Sequence, residues 1–150
     1  MSIYEMIKTV PLFKTFTDEE IRAFVEMDLP IKHYEKDDLI IKEGDLSTTL
    51  FLLIEGGCLI TKKQADTNIR LSKLSPGEIF GEMSWVSGKP RQSNVVAKEN
   101  VTVLQMDNEF FNSLSPEISN RIKDYLIELL IKRLDNMNEA IMRISQLMRS

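Results

Sequence analysis

The stretch of sequence that decides the fold runs from Pro76 to Ala97 and reads PGEIFGEMSWVSGKPRQSNVVA. A strand that ends at Phe80 is followed by Gly81, a residue that permits a tight turn and a close backbone approach. Residues 82–86 then have the length of about one helical turn. The N–H groups that begin such a turn have no partner within the helix, so they attract anions.

A cation follows at a fixed distance from this turn. Arg91 lies nine residues after Glu82, and Pro90 constrains the backbone immediately before it. The planar guanidinium of an arginine can bind two oxygens of one phosphate. The residues alone therefore predict an anion site, although Arg91 as an ordinary surface arginine paired with Glu82 remains open.

Length and composition set the class of protein. The chain has 150 residues, of which 43% are hydrophobic and 28% charged, as in a soluble globular domain. These values exclude disordered and low-complexity chains. The net charge of −4 disfavours a nucleic acid or an anionic membrane as the partner of the whole domain. An anionic small ligand then requires a locally placed cation.

The sequence lacks the residues that several classes of function require. The single Cys58 allows neither an internal disulfide nor a zinc cluster, and the single His33 has no nucleophile near it in sequence. No run reaches the 18 or so apolar residues of a membrane span, and the N-terminus has no signal-peptide pattern. We therefore predict a cytoplasmic protein that is not an enzyme and has no cofactor, with Cys58 as a small buried hydrophobe and His33 as a structural or solvated residue.

The middle of the chain has the pattern of a β domain. Short apolar runs alternate with turn residues at a spacing of about 8 to 12 residues, as in sandwiches and barrels. The spacing does not fix the topology. The six runs are Leu39–Ile41, Leu50–Ile54, Cys58–Thr61, Ile69–Leu74, Ser93–Ala97 and Val101–Met106.

Helical signals lie at both ends. Thr17 and Glu20 form a capping-box pattern, and we predict two short helices separated near Pro11. Near the other end, Ser115 precedes Pro116, which is the N-cap and first-position pattern of a helix. A long helix is predicted from there.

The long helix carries an apolar stripe. Its members are spaced alternately by three and four residues, as in a coiled coil, although the flanking positions lack a ladder of opposite charges. We expect the first half of the helix to pack on its own β domain and the second half to self-associate. The stripe comprises Ile127, Leu130, Leu134, Met137, Ile141, Ile144 and Met148.

The order of these motifs resembles the cyclic nucleotide-binding domain family, including its catabolite-activator-type sensor domains. The run from Phe80 to Arg91 resembles the phosphate-binding cassette of that family, and Glu43-Gly44-Asp45, Phe51–Ile54 and Leu74-Ser75-Pro76-Gly77 match upstream. Each turn alone is weakly specific, but their order and spacing are strongly so. The resemblance implies an α+β, mainly β fold, an antiparallel, jelly-roll-like β-roll (a double-stranded β-helix) with N-terminal helices and a long C-terminal helix.

The resemblance also implies the organisation of the chain and the ligand. Residues 1–150 would be a single domain, with N-terminal helices in 1–30, the roll in 31–107, the cassette in 80–93 and C-terminal helices in 108–150. The last helix would serve as a lid over the base and as a dimerisation helix. The ligand would be cAMP or cGMP. The partners would be a second copy and an effector protein, with no DNA bound by this chain alone.

Residue by residue, the resemblance implies that Arg91 pairs with the exocyclic phosphate oxygens and Glu82 accepts a hydrogen bond from the ribose 2′-hydroxyl. Backbone N–H groups of the cassette would complete the cradle, and apolar side chains would form walls for the base. The complete predicted site is Phe80, Gly81, Glu82, Met83, Ser84, Arg91, Gln92, Ser93, Leu71 and Leu74.

Two departures from the family pattern leave questions open. Gln92 occupies a usually small position after the arginine, so the choice between adenine and guanine stays open, with Arg133 and Asn136 as candidate lid residues. Trp85 replaces an aliphatic residue, so its indole packs into the roll or lies near the ligand. Two alternatives also remain, a non-binding member that serves dimerisation or protein docking, and the sensor part of a catabolite-activator-type transcription regulator.

Overall fold

The computed structural model describes residues 2–149. They fall into two compact units, the first ending at Ser113 and the second beginning at Leu114. The interpretation of residues 1–150 as a single domain stays a prediction.

In chain order the elements are α1 (Ile3–Lys8), a 3-10 helix (Pro11–Thr15), α2 (Asp18–Glu26), β1 (Ile31–Tyr34), β2 (Leu39–Ile41), β3 (Leu50–Glu55), β4 (Cys58–Gln64), β5 (Thr67–Leu74), β6 (Ile79–Phe80), α3 (Glu82–Ser87), β7 (Asn94–Ala97), β8 (Val101–Met106), α4 (Asn108–Ser113) and α5 (Pro116–Arg149).

The strands form two four-stranded antiparallel sheets. Their orders are β1-β8-β3-β6 and β2-β7-β4-β5, so all neighbours except the β4–β5 hairpin are distant in sequence. Alternate side chains of both sheets meet in one hydrophobic core. This arrangement is the predicted β-roll, and the fold class is confirmed. The core comprises Ile41, Phe51, Leu53, Cys58, Leu74, Phe80, Val95, Ala97, Val101 and Val103.

The strand count differs from the six apolar runs of the sequence. The additional strands are β1, which is too polar to form an apolar run, and the two-residue β6, which is the strand predicted to end at Phe80. The β4–β5 hairpin is also longer than predicted. The polar stretch that begins at Lys62 continues the ladder, with Lys62 opposite Ile69 and Gln64 opposite Thr67. Both faces of the hairpin are exposed in this polar stretch. The strands therefore continue by backbone pairing alone, without the alternation of apolar residues from which strands are predicted.

Local signals at the helix starts are confirmed. The Thr17 hydroxyl accepts a hydrogen bond from the Glu20 N–H at 3.1 Å, and the Glu20 carboxylate accepts one from the Thr17 N–H at 2.9 Å. The predicted break near Pro11 is the start of the 3-10 helix. The Ser115 hydroxyl accepts from the Ile118 N–H at 3.3 Å, and α5 begins at Pro116. Each cap depends on residues within four positions, which is why the sequence predicts it.

The second unit is mainly the 34-residue helix α5. Its length is about 51 Å at 1.5 Å per residue. Five members of the apolar stripe keep at least 57% of their surface exposed, and they are Leu134, Met137, Ile141, Ile144 and Met148. Among residues 2–149, none of the helices combines the length and the apolar character that a membrane-spanning segment needs.

Candidate functional site

The cassette begins where β6 leaves the first sheet. Gly81 follows β6 with a φ of +83°, a left-handed conformation that glycine adopts without strain, and it serves as the N-cap of α3. Gly88, with a φ of +69°, ends the same helix, so left-handed glycines lie on both sides of α3. The chain then returns through Pro90 to Arg91. Gly81 and Arg91, ten positions apart in sequence, are thereby brought into contact.

The backbone of Arg91 is fixed by the turn between β2 and β3. Its N–H donates to the carbonyl oxygen of Asp45 at 2.8 Å, and its carbonyl accepts from the N–H of Gly44, also at 2.8 Å. Gly44 has a φ of +92°, so the turn needs a residue that tolerates the left-handed region. The predicted match at residues 43–45 thus has a physical role, because it anchors the arginine of the cassette.

The side chain of Arg91 is buried. Only 5% of the residue is exposed, its Nη1 donates to the carbonyl oxygen of Gly81 at 2.9 Å, and its Nη2 donates to that of Thr49. The guanidinium lies over the ring of Phe51, with its Cζ 5.9 Å from the ring centroid. A guanidinium has five N–H donors, and these two hydrogen bonds use two of them.

Two carboxylates act on this guanidinium. Burial lowers the pKa of Arg91 below its usual value, and the nearby charges of Asp45 and Glu82 partly offset that effect. Glu82 is the first residue of α3 and is partly exposed. The arginine and the glutamate predicted to share a ligand are therefore near enough to interact electrostatically.

Backbone donors lie beside this pair. Within α3 the N–H of Trp85 reaches the carbonyl of Gly81 at 3.4 Å, which leaves the N–H groups of Met83 and Ser84 without an acceptor in the helical pattern. The Ser84 residue is buried, while Met83 is largely exposed. Because α3 has only six residues, its dipole is small, and the main attraction for an anion comes from the charge of Arg91.

The predicted base-contacting residues separate into two groups. Leu74 and Phe80 both lie in the hydrophobic core. Leu71 is 55% exposed and lies on β5, an edge strand of the second sheet, at the irregularity in its pairing with β4. Gln92 is exposed and Ser93 partly exposed after Arg91. Their predicted roles toward a base stay predictions.

Trp85 packs against Phe111 of α4, with ring centroids 5.8 Å apart. Phe111 in turn contacts Phe110, which reaches Phe24 of α2 at 6.0 Å. An aromatic chain thus connects the cassette helix with the helices of the first unit. The indole contacts a ring of α4, and its predicted placement in the roll or near the ligand stays a prediction.

The lone histidine and cysteine have structural surroundings. The Nδ1 of His33 forms a hydrogen bond with the Thr102 hydroxyl at 2.9 Å. Cys58 is buried as predicted, and burial, with a smaller effect of Glu99, raises the pKa of its thiol to about 11. The thiol therefore stays protonated at neutral pH. No group of three or more potential metal ligands occurs among the described residues.

Comparison with known proteins identifies the family of the chain. The sequence profile described as "Cyclic nucleotide-binding domain" matches residues 31–116, which include both sheets and the whole cassette. The chain belongs to the cyclic nucleotide-binding domain family. The family resemblance inferred from the cassette motif is thus confirmed.

Two relatives of the chain are a protein kinase and a protein kinase regulatory subunit. Human cGMP-dependent protein kinase 2 is 32% identical over 109 residues, which cover 71% of this chain and 14% of the kinase. The cAMP-dependent protein kinase type II regulatory subunit of Drosophila melanogaster is 31% identical over 100 residues, covering 67% of this chain and 26% of that subunit. The chain therefore spans about a seventh and about a quarter of these relatives.

A solved structure with a similar fold is the catabolite activator protein of Thermus thermophilus. It superposes with a TM-score of 0.77 at 26% identity, covering 90% of this chain and 63% of that protein. The two-sheet roll and its accompanying helices are thus an arrangement already observed within the family.

Sequence reasoning missed part of the site. The carbonyl of Thr49 and the ring of Phe51 both contact the guanidinium, yet they lie about 40 positions before Arg91. A backbone carbonyl has no sequence signature. Phe51 was noted only as part of an apolar run that matches the family pattern, and the pairing of β3 with β6 brings it to the cassette.

Substitution of Gly81 by alanine is expected to weaken nucleotide binding about tenfold. A Cβ at this position would lie 2.9 Å from Nη1 of Arg91 and 3.0 Å from the Thr49 carbonyl oxygen, so the guanidinium would have to move. The left-handed backbone adds a loss of about 1 kcal/mol in the free energy of unfolding. Affinity is measured by calorimetric titration and stability by urea unfolding.

Gly88→Ala is the matched control for this substitution. Gly88 has the same left-handed backbone, but a Cβ there would meet no atom within 4 Å. This variant should lose comparable stability and keep wild-type affinity. Equal affinities of the two variants would mean that the space at Gly81 does not serve the guanidinium.

Proposed function

We propose that this chain binds a 3′,5′-cyclic nucleotide, cAMP or cGMP, as a regulatory sensor rather than as an enzyme. The observation that carries the proposal is the guanidinium of Arg91. It is almost wholly buried, and among the described residues its hydrogen bonds to the carbonyl oxygens of Gly81 and Thr49 use two of its five N–H donors. A buried cation with donors to spare suits a small anion.

The side chains of Arg91 and Glu82 recognise different groups of the nucleotide. Arg91 binds the exocyclic oxygens of the cyclic phosphate, and the Glu82 carboxylate accepts a hydrogen bond from the ribose 2′-hydroxyl. A carboxylate at that position repels a second phosphate, so the site favours a free 2′-hydroxyl over a 2′-phosphate or a polyphosphate. The first-turn N–H groups of α3 complete the contacts, and the exposed Leu71 is available to the base.

Calorimetric titration of the wild-type chain tests this proposal. We expect saturable binding of cAMP or cGMP and much weaker binding of 5′-AMP and 5′-GMP, whose dianionic phosphates are open and more heavily hydrated. The 2′-deoxy analogue of the better nucleotide isolates Glu82. It is expected to bind about tenfold more weakly, because the Glu82 carboxylate loses its hydrogen-bond donor. The same titration determines the preference between adenine and guanine that Gln92 leaves open.

The competing interpretation is a family member that serves dimerisation or protein docking without a nucleotide. It predicts no heat of binding for either cyclic nucleotide and an unchanged melting temperature at saturating concentrations. A ligand that binds only the native state must raise that temperature. The fluorescence of Trp85, the single tryptophan of the sequence, gives a second readout from within the cassette helix.

We further propose that α5 joins two copies of the chain and that nucleotide binding changes this association. Support comes from the exposed apolar stripe, which is larger than scattered surface hydrophobic residues would produce. A nucleotide can shift the association only if it binds the monomer and the dimer with different affinities. Sedimentation with and without the nucleotide measures that difference. Such a sensor also needs an effector protein, whose activity it regulates.

A further inference from the structure

The aromatic ring beneath Arg91 has no role assigned by the binding proposal. Phe51 lies on β3, is 5% exposed, and has the Cζ of Arg91 over its ring at 5.9 Å from the centroid. A cation over an aromatic face is attracted by the negative face of the ring, and this attraction grows when water is excluded. The arginine is itself only 5% exposed, so the contact is largely desolvated.

The plane of this ring is fixed by a second aromatic residue. Phe51 and Phe80 are opposite each other in the register of β3 and β6, and their rings stack with centroids 5.1 Å apart and planes 10° apart. Cross-strand aromatic pairs restrict each other's rotamers. The strand pairing that ends at the cassette therefore also sets the surface on which the guanidinium rests.

The edges of the guanidinium are fixed independently of its face. Nη1 bonds to the carbonyl of Gly81, and Nη2 bonds to the carbonyl of Thr49, two residues before Phe51 on the same segment. The two carbonyls restrict rotation within the guanidinium plane, and the ring supports the plane itself. The remaining donors are thereby oriented before any ligand arrives, which reduces the entropy cost of binding.

We infer that Phe51 is a positioning residue for the nucleotide site, acting on the phosphate through Arg91. This inference rests on the proposed function. An aliphatic side chain of similar volume would fill the core at this position but would lack the negative ring face. The role therefore predicts a difference between aromatic and aliphatic residues that volume alone does not produce.

A double-mutant cycle tests the role of Phe51. Phe51→Leu is expected to weaken binding of the better cyclic nucleotide about fivefold, within the range of a desolvated cation–π contact. Phe51→Tyr keeps the ring and should bind within about twofold of wild type. In the Arg91→Gln background, where no cation is present, Phe51→Leu should change affinity by less than about 1.5-fold. All four affinities come from calorimetry, with nucleotide in large excess for the weak binders.

Phe13→Leu is the control for general loosening of the core. Phe13 is more deeply buried than Phe51 and contacts the rings of Phe16 and Phe24 in the N-terminal region. We expect it to lower stability while affinity stays at the wild-type value. Equal losses of affinity in Phe51→Leu and Phe13→Leu, or an equal effect of Phe51→Leu with and without Arg91, would overturn the positioning role.

A ligand-free readout separates this inference from the binding proposal. The side-chain ¹⁵N–¹H resonances of Arg91 are expected to carry a ring-current shift that disappears in Phe51→Leu and persists in Phe13→Leu. If wild type binds neither nucleotide, the proposed function fails, and these resonances still decide whether Phe51 orients the guanidinium. Unchanged Arg91 resonances in Phe51→Leu would refute the inference even if the nucleotide binds.

Discussion

Arg91→Gln is expected to weaken cAMP or cGMP binding by at least about 100-fold, equivalent to about 3 kcal/mol. The substitution removes the positive charge and the forked pair of donors that a phosphate needs. It leaves a site that still contains the carboxylates of Asp45 and Glu82, whose charges act on the guanidinium in the wild type. Without the cation, both carboxylates repel the incoming phosphate. Calorimetric titration measures the change.

The same substitution is expected to cost stability, and the two effects can be measured separately. In the wild type the guanidinium donates to the carbonyl oxygens of Gly81 and Thr49. The shorter glutamine cannot supply both bonds, so the free energy of unfolding falls by about 1 to 3 kcal/mol. Urea unfolding without nucleotide reports this loss. Arg91→Lys should fall between wild type and glutamine in affinity, because it keeps the charge without the fork.

Lys89→Gln is the charge-matched control. Lys89 is exposed and lies two residues before Arg91 in the same turn. Removing its charge should weaken binding by less than about threefold, since exposed charges are screened by water and salt. The account of the site would fail if Arg91→Gln bound the nucleotide as well as Lys89→Gln does.

The second large effect is expected on α5. Ile141→Glu should convert a dimer into a monomer, with the association constant reduced by at least about 100-fold. Ile141 is in the middle of the exposed apolar stripe, so its side chain would be buried in a dimer formed through this helix. An unpaired carboxylate at such a position costs several kcal/mol. Sedimentation velocity at several protein concentrations measures the association.

Gln146→Glu provides a control with the same new charge. In the three-four spacing of the stripe, position 146 falls on the face opposite Ile141 and Ile144. This variant should sediment like wild type. A monomeric wild type across the concentration series, or equal dissociation of the two variants, would rule out α5 as the dimerisation surface. Nucleotide affinity of the monomeric variant then shows whether binding requires the dimer.

The elements that the sequence predicted well are those determined locally. The cap at Thr17, the break at Pro11 and the start of α5 at Pro116 each depend on side chains within one turn of the backbone they bond. The cassette was recognisable for a similar reason. Its glycine, glutamate and arginine occur within eleven consecutive residues, so their spacing is visible in the sequence.

The parts that could not be predicted depend on strand pairing. Arg91 contacts Thr49 and Phe51 because β3 pairs with β6, and no local pattern encodes that neighbourhood. The two-sheet order likewise joins strands that are distant in sequence. Leu71 and Leu74 were predicted as one apolar wall, yet Leu71 is exposed, as is the rest of β5 before Leu74, while Leu74 enters the core.

A crystal structure of the chain with the better of the two cyclic nucleotides tests the central claim most directly. We predict exocyclic phosphate oxygens at about 2.7 to 2.9 Å from the guanidinium nitrogens of Arg91. The ribose 2′-hydroxyl should lie within hydrogen-bond distance of the Glu82 carboxylate. A nucleotide bound elsewhere on the roll, with Arg91 still bonded only to the carbonyls of Gly81 and Thr49, would contradict the account.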